Sequence, residues 1–121
     1  MAQKILIVED EHGVVHLLKS RLEADGFQVI AAYNGQEGLR AVTEARPDLV
    51  ILDLTLPDLD GFELCRRLRE FDQHTPILFF AGAAYETDKR KAVAAGANAY
   101  IVKPDSGGVL VGTVLQLIAH R

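Results

Sequence analysis

Five short apolar runs recur at fairly even spacing along the 121-residue chain. They are Ile5-Leu6-Ile7-Val8, Phe27 to Ala32, Leu49-Val50-Ile51-Leu52, Ile77-Leu78-Phe79-Phe80 and Ala99-Tyr100-Ile101-Val102. Four are almost continuously apolar, the pattern of strands buried on both faces of a parallel sheet. The run from Phe27 is more mixed and reads as lying nearer an edge. Between the runs sit apolar stripes of helical period: Val14, Leu17, Leu18 and Leu22; Gly38, Ala41, Val42 and Ala45; Phe62, Leu64, Cys65 and Leu68; Ala92, Val93 and Ala95; Leu110, Val111, Val114, Leu117 and Ile118. Gly26, Pro47, Pro76 and Gly96 stand where these segments should stop, and Asp60 and Ser106 where helices should be capped. Five β-α alternations predict an α/β domain of three layers, with right-handed crossovers placing helices on both faces of the sheet.

The length suits one core, hence one domain over residues 1–121. Thirteen Lys and Arg against seventeen Asp and Glu give a net charge of −4, which argues against direct nucleic-acid binding. A single cysteine excludes an internal disulfide and a multi-thiol zinc site. No apolar run approaches the roughly 18 residues of a membrane span, and the first residues lack a signal-peptide layout, so the expected location is the cytoplasm, with no membrane contact.

Ligands of open α/β sheets bind beyond the carboxyl ends of the strands. There the first strand runs into Glu9-Asp10-Glu11, the third into Asp53, the fourth into Ala81-Gly82 and the fifth into Lys103-Pro104. One aspartate at a strand end is an ordinary solvated charge. Carboxylates converging from separate strands are another matter, since at about 4.5 Å and an effective dielectric near 20 each pair repels by roughly 3–4 kcal/mol. Mg²⁺ relieves this with hard oxygen ligands and keeps room for a phosphate, and Lys103 adds a compact second cation. The set suits phosphoryl transfer to Asp53 as nucleophile.

The acidic cluster in Ile7-Val8-Glu9-Asp10-Glu11, the segment from Asp48 to Leu64, the Gly96-Ala97 turn and Tyr100-Ile101-Val102-Lys103-Pro104 together resemble the receiver domain of two-component response regulators. Pro57 and Gly61, at their offsets from Asp53, make the middle segment specific. The resemblance spans nearly the whole chain and implies a flavodoxin-like α/β/α fold with a five-stranded parallel sheet of order 2-1-3-4-5. By the same resemblance Asp53 is the phosphoacceptor, Asp10 the acidic Mg²⁺ ligand, Glu9 its neighbour acting through water, and Thr55 the donor of a backbone carbonyl to the metal. Lys103 contacts the phosphoryl group, Pro104 marks the family's cis-peptide position, and Tyr100 is the aromatic switch residue. The implied partner is a histidine kinase or a histidine phosphotransfer protein, and the implied output face, a candidate for homodimerisation, is helix 4, strand 5 and helix 5.

Two departures stand out. The family's Ser or Thr at the end of strand 4 is replaced by Ala81, and Asp105 follows Pro104 where the family often has an apolar residue. Ala81 raises the alternative of a phosphorylation-independent interaction module of the same fold. An aspartyl-nucleophile phosphatase would carry a second Asp where Thr55 stands, and a dinucleotide-binding domain would need a Gly-rich turn after strand 1. The lesser features read plainly: His12 and His16 as solvated helix positions despite their metal-pair spacing, Cys65 as core, Asp58 and Asp60 as turn and cap residues, and Lys89-Arg90-Lys91 as a solvated helix face. Val109 and Leu115 fall beside the apolar stripe of the last helix and are candidates for an interface.

Overall fold

The computed structural model describes residues 2–82, 85–104 and 108–120. Strands and helices alternate throughout: β1 (Lys4–Val8), α1 (His12–Ala24), β2 (Gln28–Ala32), α2 (Gly35–Ala45), β3 (Leu49–Leu52), α3 (Gly61–Phe71), β4 (Ile77–Ala81), α4 (Glu86–Ala95), β5 (Ala99–Val102) and α5 (Val109–Ala119). The five strands form one parallel sheet in the order β2-β1-β3-β4-β5.

Alternation along each strand divides the core in two. Leu6, Val8, Val50, Leu52, Ile77 and Phe79 pack with residues of α2, α3 and α4. Ile5, Ile7, Leu49, Ile51, Leu78 and Phe80 pack with α1 and α5. Strands β1, β3 and β4 therefore need apolar residues at successive positions, which is why their runs are unbroken. Strand β2 lies at one edge, as its mixed composition indicates. Strand β5 lies at the other edge and is half-buried along its length, in contrast to the fully buried strand its run suggests. With one neighbour instead of two, its apolar residues cover the flank of the sheet.

Two helix stripes are also rotated from their sequence reading. Helix α1 buries Val15, Leu18 and Leu22 and leaves Leu17 51% exposed; α4 buries Ala92 and Ala95 and leaves Val93 71% exposed. Neighbouring residues on a helix point about 100° apart, so one residue's phase decides which side chain faces the sheet. Gly26 and Gly96 take positive φ where α1 and α4 stop, and α2 stops at Arg46, itself left-handed at φ 48° just before Pro47. The Asp60 carboxylate accepts from Glu63 N at 2.8 Å and caps α3. Ser106 and Asp105 lie outside the described residues.

Two side-chain constraints tie the layers together. The Arg69 guanidinium at the end of α3 donates to the carbonyls of Gly96, Asp72 and Thr75 and to Asn98 Oδ1, joining the lower ends of α3, α4 and β4. At the upper end, α3 begins against the loop that leaves β3. A Cβ on Gly61 would come within 2.3 Å of the Asp53 carbonyl and 2.9 Å of Leu54 Cα, so only glycine allows this approach. Gly61→Ala should cost about 2 kcal/mol by overpacking against backbone. Urea denaturation checks this, and a variant as stable as the parent would contradict the packing account.

Candidate functional site

The backbone ladder runs one residue past three strand ends and carries the charged side chains with it. Glu9 N donates to the Ala32 carbonyl, Asp53 N to the Val8 carbonyl and Lys103 N to the Ala81 carbonyl, at 3.0, 3.0 and 2.7 Å. Glu9, Asp53 and Lys103 are thus held by sheet geometry and not by loops. Oxygens of Glu9, Asp10 and Asp53 lie within 4.8 Å of one another. Lys103 Nζ lies 2.5 Å from Glu9 Oε1 and 3.5 Å from Asp53 Oδ1. Glu9 and Asp53 are buried; Asp10 faces solvent. The second Glu9 oxygen accepts from Glu11 N at 3.2 Å, so Glu11 serves the site through its backbone.

Burial raises the Glu9 carboxyl to about 7, against the pull of the Lys103 ammonium. Burial works to lower Lys103, but the hydrogen bond to Glu9 and the charge of Asp53 outweigh it and raise it above its ordinary value. The two are ionised together from near neutrality upward. The Glu9 carboxylate is also bound to Lys103, 94 residues away in sequence, a partner that the resemblance does not assign to it.

The loop after β3 is closed on itself. Gly61 N donates to the Leu54 carbonyl at 2.7 Å, and Thr55 pairs with Asp60 in an antiparallel bridge. Thr55 and Pro57 are exposed and Leu56 is buried. Asp58, at the loop tip, accepts from Gly35 N and Gln36 N at 2.7 and 2.9 Å, so its carboxylate serves a turn and a helix end. Ala81 is buried at the end of β4 and brings no hydroxyl to the site, and the space beside Gly82 is open. Tyr100 is half-buried, its ring 6.3 Å from that of Phe79, and burial, then the charges of Asp88 and Asp53, raise its pKa. The Lys103-Pro104 peptide is cis, at the position the resemblance marks.

The remaining sequence features sort themselves. His12 stacks on Tyr33 with ring centroids 4.2 Å apart and planes at 10°. Cys65 is buried, donates to the Ala95 carbonyl, and has its thiol pushed up by burial to about 11. Lys89 lies 3.8 Å from Glu86, and Lys91 sits over the Phe62 ring. A cavity of about 360 Å³, lined by Val42, Arg46, Phe71 and Thr75 among others, opens at the opposite end of the sheet, away from the charged cluster. Tyr33 and the reach of Asp58 to α2 were not legible as parts of the site, because each depends on a partner from another loop.

Three carboxylate oxygens in this spacing suit a hard divalent cation such as Mg²⁺. Comparison with known proteins bears on the family. Residues 5–114 match the family model described as the response regulator receiver domain. The alkaline phosphatase synthesis transcriptional regulatory protein PhoP of Bacillus subtilis is 42% identical over 88% of this chain and 44% of its own length. The chain spans about half the length of the curated relatives it matches. Among solved structures, a CheY-like response regulator receiver domain protein from Methanospirillum hungatei superposes with a TM-score of 0.93 at 28% identity, covering 98% of this chain and 95% of that one. The signal receiver domain of a histidine kinase from Syntrophus aciditrophicus gives 0.88 at 34% identity, covering 98% and 91%. Sheet order, charged cluster and sequence likeness converge: the chain belongs to the response regulator receiver domain family of two-component signalling.

Proposed function

We propose that Asp53 accepts a phosphoryl group from a phosphohistidine on a histidine kinase or histidine phosphotransfer protein, and that the new charge is relayed as a change of surface conformation. The observation that carries this reading is the Asp53 carboxylate at 3.5 Å from the Lys103 ammonium and beside the oxygens of Glu9 and Asp10, at three strand ends of one sheet. An Asp53 oxygen forms the new P–O bond while the P–N bond to the donor imidazole breaks and its electron pair stays with the imidazole. Lys103 offsets charge on the transferring group. Asp10, Asp53 and the Thr55 carbonyl would hold Mg²⁺, which supplies further charge neutralisation when bound. The module signals and is not a turnover enzyme.

The reading places the chain in the cytoplasm; none of its described helices is long and apolar enough to cross a membrane. Helix α4, strand β5 and helix α5 are the proposed output and homodimer face, supported by exposed Tyr85, Val93, Val109 and Leu115. Ala81 favours a second reading, an interaction module whose output ignores phosphorylation. A hydrogen bond to a charged group contributes about 1.5–3 kcal/mol, and that contact between the phosphoryl group and strand β4 is missing.

Incubation with acetyl phosphate and Mg²⁺ should add one phosphoryl group by intact-protein mass spectrometry, and none to Asp53→Asn. Equal labelling of the variant would remove Asp53 from the acceptor role. Restoring the hydroxyl with Ala81→Thr should enlarge phosphorylation-dependent amide shifts around Tyr100; unchanged shifts would count against Ala81 as the weak link. The buried Glu9 carboxyl yields a pH prediction. Its folded pKa, about 7, lies above the ordinary 4.5, so the folded state holds the extra proton between these values. Its contribution to stability is present at low pH and is lost as pH rises through 7. Without Mg²⁺, the stability of the parent relative to Glu9→Gln should therefore fall between pH 5 and pH 8 in chemical denaturation, and a constant difference would refute the raised carboxyl.

A further inference from the structure

The β2–α2 connection contributes no oxygen to the acidic cluster, yet both loops that would carry the metal ligands are attached to it. On one side, Asp58 at the tip of the β3–α3 loop accepts from Gly35 N and Gln36 N, the first two N–H groups of α2. The third, Glu37 N, goes to Asn34 Oδ1, and Gly38 N begins the helix's own ladder on the Asn34 carbonyl, so each N–H from residue 35 to 38 has an acceptor. The contact is close-fitting as well as polar: a Cβ on Gly35 would lie 2.5 Å from Leu59 Cδ2 and 3.1 Å from Asp58 Oδ1, so a side chain there would make Leu59 shift. On the other side, the Tyr33 ring stacks on His12, two residues after Asp10. The Tyr33 backbone is itself fixed, its N–H donating to Glu37 Oε1 at 2.8 Å.

We infer that Tyr33 and Asp58 are positioning residues of the metal site, joining the Asp10 loop to the Thr55 loop through the start of α2 so that both present oxygens to one cation. Sheet hydrogen bonds fix Asp53 and Glu9 directly, but Asp10 is exposed and one residue further out, and Thr55 lies in a loop. These are the two ligands whose separation the ladder does not set. The charge state of Asp58 fits the role. Burial works to raise its pKa, and the surrounding backbone N–H groups, Gly35 and Gln36 first, outweigh this and hold the carboxyl below its ordinary range.

The inference rests on the proposed Mg²⁺ site, and one experiment separates the two. Mg²⁺ is titrated into the whole chain at pH 8, followed by amide chemical shifts, with thermal unfolding of each variant measured without metal. Loss of outer partners of metal ligands weakens affinity by about tenfold or more, which is the effect expected for Asp58→Ala and for Tyr33→Ala. Asp58→Asn, which keeps one acceptor oxygen, should fall between, and Tyr33→Phe, which keeps the ring, should bind as the parent does. A purely structural role would lower the unfolding temperature and leave Mg²⁺ affinity untouched; that result in both alanine variants overturns the brace alone. Absence of Mg²⁺ binding in the parent chain overturns the metal site and the brace with it.

Discussion

The contact between Lys103 and Glu9 is the constraint around which the upper edge of the sheet is arranged. Adjacent strands lie about 4.8 Å apart. Lys103, leaving edge strand β5, must extend past the end of β4 to reach Asp53 on β3 and Glu9 on β1. Its ammonium lies 5.7 Å from the centre of the Phe80 ring of β4. The ammonium then serves two carboxylates with one charge, so the cluster remains short of positive charge and open to a cation. Because the backbone beyond each strand end is still in the ladder, this deficit is built into rigid structure and persists whatever the loops do.

That rigidity bears on how a signal could leave the site. Tyr100 sits on β5, beside Phe79 of β4, three residues before Lys103. A charge added at Asp53 can act on this strand through Lys103 itself, whose ammonium would be drawn away from Glu9. In a site with a hydroxyl at position 81, strand β4 would feel the same event by a second route. With alanine there, the Lys103 route stands alone among the charged and polar contacts described at that edge. On the proposed reading, the missing β4 contact would narrow the coupling and leave the acceptor atoms untouched.

The sheet was legible because buried parallel strands require apolar residues on both faces, and few other structures do. Strand order came with the family resemblance that the Asp48–Leu64 segment carries, and the charged cluster with the residues at the strand ends. What escaped was of two kinds. Leu17 and Val93 belong to runs of apolar residues with more candidates than the buried face can take, and the phase is decided by packing against the sheet. Glu9, Asp58 and Tyr33 have partners from distant segments: a carboxylate shows its charge in the sequence but not which cation or amide it meets. Glu9 in particular reads as an outer metal neighbour, and its ion pair with Lys103 is visible only in the fold.

Cys65 has a practical consequence. It is the chain's one cysteine, it is fully buried beneath α4, and its thiol remains protonated far above neutral pH. Since the thiolate is the reactive form, this sulfur is silent toward alkylating reagents while the domain stays folded. A cysteine placed at exposed Val93, on the face opposite that packing, would then be the sole labelling point of the native protein, and any reactivity at Cys65 would report opening of the contact between α3 and α4.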